Sequence, residues 1–456
     1  MKVIHETDVL VVGGGTAGFV AAVAAAKTGA KTMIVEQAGV LGGTPVAGLM
    51  TISLTYHDAY GKQVVTGVFD ELLEKMKLNG GAMGYTYETQ GNMQFAAPFD
   101  AEVAKYTMVE MAEEYGIEVL FDTICIDTLM MGKSIKGIIA ANKAGSSIIL
   151  AKRVIDCTGD GDVAVFAGAE YEMRPREIRQ PITLMFRMGD VNVEKWVDYM
   201  KSHPEQFNLI DGVESLNKPW ILNILKDFVP WKKAIEQGEM PKGFALEQVW
   251  YHTHGADIRK GEMTFNMTRT TGFDPTDPEE LSKAHRVLQK QLPAAEKFIR
   301  DNMPGFENAY LIDSASILGV RESRRIVGDY MLQKDDVSSG RIPRDTVALS
   351  ANPIDIHEGH GSGKFVWQKT DKRGSIPYGI PYGCLLPKGI ENLLVAGRCA
   401  SSTWDANGSV RMQASCCSTG QAAGVAAALS VKKDVVPREL DIEDIKAAER
   451  AINIMI

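Results

Sequence analysis

The stretch Thr7 to Glu36 constrains the fold more than any other part of the chain. It runs Thr7-Asp8-Val9-Leu10-Val11-Val12-Gly13-Gly14-Gly15-Thr16-Ala17-Gly18, continues through an Ala-rich segment from Phe19 to Lys27, and ends Thr32-Met33-Ile34-Val35-Glu36. A short apolar, β-branched run followed at once by G-x-G-x-x-G and an Ala-rich segment predicts a buried strand, a tight turn and a helix packed close to the sheet. These are the parts of a βαβ unit that binds a dinucleotide. Gly13 permits the turn, Gly15 lets backbone approach a pyrophosphate, and Gly18 lets the helix sit against the strands. The helix N-terminus, at Thr16 and Ala17, offers free N–H groups to the phosphates. Glu36 ends the second strand, where an acid hydrogen-bonds a ribose hydroxyl and disfavours a 2′-phosphate.

A chain of 456 residues exceeds one hydrophobic core and predicts two domains, one interrupted by the other. Its net charge of -9, with no Lys/Arg cluster, excludes a nucleic-acid footprint. His5, Glu6 and Asp8 interrupt any apolar leader, and no 18-residue apolar span occurs, so neither a signal peptide nor a membrane segment is expected. Cys125, Cys157, Cys384, Cys399, Cys416 and Cys417 lack C-x-x-C or cluster-binding spacing, and read as reduced thiols of a cytoplasmic protein. The neighbouring Cys416 and Cys417 read as small buried helix residues, because a ring closed between adjacent cysteines strains the peptide.

After Glu36 comes Gln37-Ala38-Gly39-Val40-Leu41-Gly42-Gly43-Thr44, too rich in glycine for a helix or a central strand. Here the chain resembles the FAD-dependent oxidoreductases of the fumarate reductase and glutathione reductase superfamily. In that superfamily a loop of this kind follows the ribose acid and runs along the pyrophosphate towards the flavin. The resemblance implies FAD as cofactor and adds Gln37, Gly42, Gly43 and Thr44 to its contacts. Covalent fumarate reductases attach the flavin to a histidine in this region. Thr44-Pro45-Val46-Ala47 contains none, which implies non-covalent FAD.

Residues 64 to 115 read as helical around a polar interruption from Asn79 to Asn92, with Phe99 to Tyr115 an amphipathic helix opened by Asp100 and closed by Gly116. Ile117 to Phe121, Cys125 to Met130, Ile135 to Ala141 and Ile148 to Ile155 read as a strand followed by an antiparallel meander. By resemblance the meander is the crossover of the FAD domain, and backbone near Ile124 and Cys125 holds the adenine. Asp156-Cys157-Thr158-Gly159-Asp160-Gly161-Asp162 resembles the second fingerprint of such flavoproteins, which brings in Cys157, Thr158 and Gly159. A calcium loop would need a glutamate at its twelfth position and flanking helices, so the alternating aspartates make the weaker reading and no metal site is assigned.

The expected fold is α/β. A Rossmann-like FAD-binding domain with a β-meander crossover occupies residues 1–178 and 364–456, and an α+β cap or substrate domain, residues 179–363, is inserted between its two parts. The cap holds no second G-x-G-x-x-G, so an NADPH domain is not expected. The segments Asn392-Leu393-Leu394-Val395-Ala396-Gly397-Arg398 and Asn407-Gly408-Ser409-Val410-Arg411, followed by a small-residue helix with Gly420 and Gly424, are similar to the C-terminal signature of the FAD-dependent oxidoreductase family. The resemblance implies cofactor contacts from Gly397, Arg398, Asn407, Gly408, Ser409 and Arg411. Members of the family often have Thr-His where this chain has Thr403-Trp404. A helix starting near Gly408 and Ser409 would turn its positive end towards flavin N1 and the C2 oxygen. Arg411 either adds a full charge there or pairs with a surface acid.

Substrate candidates are more scattered. His252 and His254 fall at i and i+2, on one side if this is a strand, and suit a proton donor with a carboxylate binder, a metal site that has no nearby third ligand in sequence, or a structural role. Arg321, Arg324 and Arg325 either pair with Glu322 and Asp329 or clamp a substrate carboxylate. Tyr378 and Tyr382 either line the substrate side of the flavin or pack as aromatics. The stretch from His357 to Gly361 is polar and reads as a lid or a solvent loop.

The function expected is an FAD-dependent dehydrogenase or reductase exchanging hydride between flavin N5 and a small organic, anionic or carbonyl-bearing substrate. The alternatives are a flavoprotein electron-transfer subunit served by partner chains and an NAD-dependent dehydrogenase. A homo-oligomer is compatible with the chain.

Overall fold

The computed structural model describes residues 1–87, 95–207, 209, 212–217, 222–224, 228–240, 250–253, 258–357, 365–368 and 376–456. Strand β1 (Lys2–Val12), helix α1 (Thr16–Lys27) and strand β2 (Thr32–Val35) form the expected βαβ unit, β1 and β2 being parallel from Val9↔Thr32 to Val12↔Val35. The next interval differs from expectation. Between β3 (Ile52–Leu54), α2 (Val68–Leu78), β4 (Thr86–Tyr87), β5 (Phe95–Pro98) and α3 (Ala101–Glu114), the strands form a small sheet in the order β3-β5-β4. Ile52–Leu54 supplies the pairing partner of β5, and so remote a partner cannot be read from local periodicity. Asp100 does cap α3, its carboxylate accepting from the Val103 N–H at 2.9 Å, and Gly116 follows at φ 63°.

The strand and meander are present as β6 (Glu118–Leu120), β7 (Ile124–Met131), β8 (Ser134–Asn142) and β9 (Gly145–Asp156), followed by α4 (Asp162–Phe166) and β10 (Tyr171–Glu172). The chain then builds a second sheet with its own core. Its elements are β11 (Phe186–Gly189), α5 (Val193–Ser202), β12 (Leu222–Ile224), α6 (Val229–Glu236), β13 (Trp250–Thr253), β14 (Met263–Asn266), α7 (Pro278–Asn302) and β15 (Tyr310–Ser314). The five strands are antiparallel in the order β12-β13-β14-β11-β15. Phe186 stacks on Phe265 at 5.4 Å, and Trp196 meets Phe207, Phe228 and Phe306 edge-on.

The return begins with β16 (Arg325–Ile326), which pairs with β10, then α8 (Lys334–Ser338), β17 (Thr346–Ser350), β18 (Ile354–His357), β19 (Phe365–Gln368) and β20 (Tyr378–Pro381). Leu332, Val337, Val347 and Ile354 belong to the same core as Val9 and Val11, so much of the segment 325–357 is built into the first domain rather than the cap. Strand β21 (Leu393–Val395) and helices α9 (Trp404–Val410), α10 (Gln413–Lys433) and α11 (Ile442–Ala451) complete the chain. Among the described residues no helix is long and apolar enough to cross a membrane.

Strand β9 joins these parts. One edge runs parallel to β1 from Lys2↔Ser147 to Val12↔Asp156, and the other edge is divided. Its first half pairs antiparallel with β8, and its last three residues take β21 in parallel. The meander and the returning chain therefore dock on one strand. Across the sheet, α10 lies on α1 at backbone contact. A Cβ on Gly420 would sit 2.3 Å from the Ala17 carbonyl oxygen, and one on Gly424 would sit 2.1 Å from that of Ala21.

These contacts oppose helix propensity. Replacing a mid-helix glycine with alanine stabilises an isolated helix by about 1 kcal/mol, whereas overpacking against backbone costs about 1–3 kcal/mol or more. Gly424→Ala should therefore lower the unfolding temperature. Gly116→Asn, whose Cβ meets nothing within 4 Å and whose φ suits asparagine, should leave it nearly unchanged. Thermal unfolding followed by circular dichroism measures both, and a more stable Gly424→Ala protein would refute the packing argument.

Candidate active site

A cavity of about 810 Å³ is lined by both the dinucleotide fold and the cap. On the dinucleotide side the three glycines have separate roles. A Cβ on Gly13 would lie 2.5 Å from the Cys157 carbonyl oxygen, and one on Gly18 would lie 1.7 Å from that of Gly13, so both positions are set by packing. Gly15 is different. Its Cβ would meet only Gly43 Cα, at 3.8 Å, and Gly15, Thr16 and Ala17 line the cavity. Gly15 also provides no side-chain cap to α1, which leaves the first N–H groups of the helix for an anionic ligand.

Glu36 lines the cavity and braces the turn. Its carboxylate accepts from the Gly14 N–H at 2.6 Å and from the Ala38 N–H at 2.7 Å. Burial raises its pKa against the pull of these N–H groups. Each oxygen keeps a lone pair for a ribose hydroxyl. Gln37, Gly43, Thr44, Ile124 and Cys125 also line the cavity, which agrees with a nucleotide arm running from the turn to the start of β7. Gly42 does not. It donates to the Gly14 carbonyl at 2.8 Å, and at φ 100° its Cβ would strike Val46, so it shapes the loop from behind.

Cys157, Thr158 and Gly159 line the cavity beside Gly397 and Arg398. The aspartates around them are held by protein groups. Asp156 accepts from the Thr158 backbone and hydroxyl and from the Ala164 N–H, while Arg398 reaches Asp160 at 2.9 Å. Arg324 donates to the Asp160 carbonyl at 2.8 Å and pairs with Asp162. Burial, then Asp160 and Asp156, push Asp162 up to about 6 against the pull of Arg324 and Arg398. Arg324 is thus committed to the second fingerprint and is not placed for a substrate clamp. Arg325 is also committed, to the Ser402 carbonyl and Glu172.

Three C-terminal expectations change. Asn407, Gly408 and Ser409 lie inside α9 and outside the cavity lining. Asn407 donates to the Arg398 carbonyl at 2.9 Å and Ser409 to the Asn352 carbonyl at 2.7 Å, so they hold the loop that carries the site. The helix whose positive end meets the cavity is α10, because the chain breaks at Arg411 and Met412. Met412, Gln413 and Cys416 line the cavity, and Met412 supplies no side-chain cap. Tyr378 and Tyr382 also lie outside the lining. Tyr378 shares a 2.6 Å hydrogen bond with Ser409, and Tyr382 donates to the Pro437 carbonyl at 2.9 Å, so both are packing residues of the first core.

The opposite wall of the lining combines Thr183, Met185, Asn266, Gly319 and Arg321 from the second sheet and its flanks with Asp355 and His357 of β18 and with Arg411. Arg321 is buried, and its guanidinium donates to the Pro181 carbonyl at 2.8 Å. Among the described residues it has no ion pair. Burial, then Arg269 and Arg411, depress its pKa against the pull of Asp355, yet a guanidinium stays charged. Arg411 pairs not with a surface acid but with buried Asp355, at 3.1 Å. Asp355 also faces His357 Nε2 at 3.4 Å, and Gln180 accepts the His357 backbone N–H at 3.0 Å. Burial raises the Asp355 pKa, but His357, Arg411 and Arg321 outweigh it and hold the group well below the usual carboxylate range.

Asp355 and His357 are a buried pair on the cavity wall, of which the sequence put His357 forward only as the start of a lid or solvent loop and did not put Asp355 forward. Ile354-Asp355-Ile356-His357 has the alternation that put His252 and His254 forward, and it directs two polar side chains to one face of β18. His252 lies on β13, opposite Thr264, with its side chain outside the described residues; His254 and residues 358–361 are outside them altogether.

A Rossmann-like fold whose glycine turn, Glu36 and the segment Cys157 to Gly159 line one cavity has the arrangement of a dinucleotide-fold flavoprotein. The family described as FAD dependent oxidoreductase matches residues 8–448. The chain belongs to that family and uses FAD. Curated relatives match only in short stretches. Dihydrolipoyl dehydrogenase of Trypanosoma brucei brucei is 39% identical over 87 residues, 18% of this chain and 16% of that protein. Leghemoglobin reductase of Glycine max is 46% identical over 61 residues, 12% of each. Among solved structures, a geranylgeranyl bacteriochlorophyll reductase-like protein of Thermoplasma acidophilum aligns over 98% of this chain and 83% of its own, at 13% identity and a TM-score of 0.49. A flavoprotein/dehydrogenase of Cytophaga hutchinsonii aligns over 98% and 84%, at 14% identity and a TM-score of 0.47.

The open space at Gly15 makes a selective test. Gly15→Val should fold with a near-normal unfolding temperature yet purify without FAD, as measured by its absorbance spectrum, because the new side chain fills the phosphate cradle and meets little protein. Normal FAD occupancy would refute the placement of the pyrophosphate.

Proposed function

We propose that this chain exchanges hydride between FAD and a small organic anion carrying a carbonyl or hydroxyl group, bound on the cap side of the cavity. One observation carries this reading: Arg321 is a buried cation on the cavity wall with a backbone carbonyl as its hydrogen-bond acceptor and no counter-ion among the described residues. Burying an unpaired charge is costly, and an arriving carboxylate would accept its planar N–H fork. Bound FAD supplies the hydride chemistry. The protein residues do the rest. Arg321 orients the carboxylate, Arg411 is held by Asp355 beside it, and His357 is within reach of Asp355 to move a proton at the reacting oxygen.

The panel that tests this is anaerobic. Small 2-oxo and 2-hydroxy carboxylates should change the flavin redox state, while matched neutral alcohols and aldehydes should be poor. NADH and NADPH should bleach the flavin slowly on their own, since no second nucleotide fold was found in the sequence. Arg321→Lys should cost about 2–5 kcal/mol of binding in the reactive complex, a loss of roughly 30-fold to several-thousand-fold in substrate-driven bleaching, with FAD content retained. Equal activity on neutral substrates would overturn the anionic assignment.

A further inference from the structure

The His357 imidazole shares the cavity wall with Arg321 and Arg411 and touches the carboxylate that Arg411 uses. We propose that an anion entering this cavity draws one proton from solvent onto His357, so that the proton donor becomes charged only when substrate is bound. The proposal rests on the anionic-substrate reading above and adds a linkage that the reading does not require.

The charged and titratable groups facing His357 among the described residues are few. Asp355 lies on the same strand, Arg321 precedes β16, Arg269 follows β14, and Arg411 acts through Asp355; Gln180 fixes the backbone. In the free protein burial is the largest influence, and with Arg321 and Arg269 it outweighs Asp355, lowering the His357 pKa to about 4. The ring is therefore neutral at physiological pH. A carboxylate on Arg321 cancels that cation's influence and brings a negative charge of its own. A unit charge about 4 Å away, at an effective dielectric near 20, alters proton affinity by roughly a thousandfold. That is enough to carry His357 from about 4 into the neutral range.

The sign follows from linkage. A site whose proton affinity rises on binding takes up a proton, so anion affinity is greatest below the free-state pKa of about 4, falls as pH rises from there, and levels off above the bound-state pKa. No electron transfer or co-reactant is involved. The proton comes from bulk water and leaves with the anion, or with the reduced product.

Titration calorimetry of the FAD-loaded protein tests this, with pyruvate and acetate as probes in two buffers of different ionisation enthalpy. At about pH 6.5 uptake should approach one proton per anion bound, falling towards zero at about pH 9. His357→Gln should bind the anion with no uptake, and Arg321→Gln should lose binding. Binding without proton uptake, or uptake that persists in His357→Gln, overturns this inference and leaves the anionic reading standing. Failure of both probes to bind the wild-type protein overturns both. Should His357→Gln fold poorly, the wild type decides: affinity that is flat from about pH 6 to 9 is incompatible with the proposal.

Discussion

The structure depends on the backbone contact between α1 and α10. Gly420 and Gly424 let α10 approach the carbonyls of Ala17 and Ala21, while Gly18 lets α1 approach the Gly13 turn. With so little side chain between them, neither helix can slide without a collision. The result is functional as well as structural, because the uncapped N-termini of both helices reach one cavity, at Thr16 and Ala17 and at Met412 and Gln413. A helix N-terminus is a fixed positive partial charge that needs no mobile side chain. Two such ends suit an elongated cofactor that is anionic at its pyrophosphate and gains negative charge at the flavin on reduction.

The two sides of the cavity handle charge differently. Beside the second fingerprint, Asp156, Asp160 and Asp162 are matched by backbone N–H groups, Arg324 and Arg398, so that wall is internally satisfied. On the opposite wall one carboxylate, Asp355, serves both Arg411 and His357, and among the described residues Arg321 donates to a carbonyl and has no ion pair. A fold gains nothing in stability from a buried cation in that condition, since its desolvation is not offset by an ion pair. A bound anion would offset that desolvation.

The first domain was largely legible because its instructions are local. Gly13, Gly15, Gly18 and Glu36 lie within one βαβ unit, and the meander strands β7, β8 and β9 carry their own turns. The same locality explains what failed. Helix was expected across 64–115 because the partner of Phe95–Pro98 lies at Ile52–Leu54, far outside any periodicity window. The positive helix end was placed at Gly408 because Gly-Ser suggested a start, whereas α9 runs on to Val410 and the extended backbone of Met412 separates it from α10. Arg324 and Arg321 look alike in sequence. Three residues apart in an irregular turn, one reaches Asp162 and the other faces the cavity.

The two walls of the cavity use different parts of the chain, and this governs what any one sequence can disclose. The wall built on the first turn is set by close backbone packing, 1.7 Å at Gly18 and 2.5 Å at Gly13, so glycines mark it in the sequence. The opposite wall is held by side chains of Gln180, Arg321, Asp355, His357 and Arg411, drawn from four separate segments, and none demands an unusual backbone. What joins them is charge. Arg411 depends on Asp355, Asp355 on His357 and Arg411, and the Gln180 side chain ties the entry of the cap to the backbone of His357. Displacing the cap would therefore move Gln180 and Arg321 relative to β18 and disturb the charge balance around His357. Cap position and protonation are linked by geometry, because the groups that set the proton affinity of His357 come from both domains.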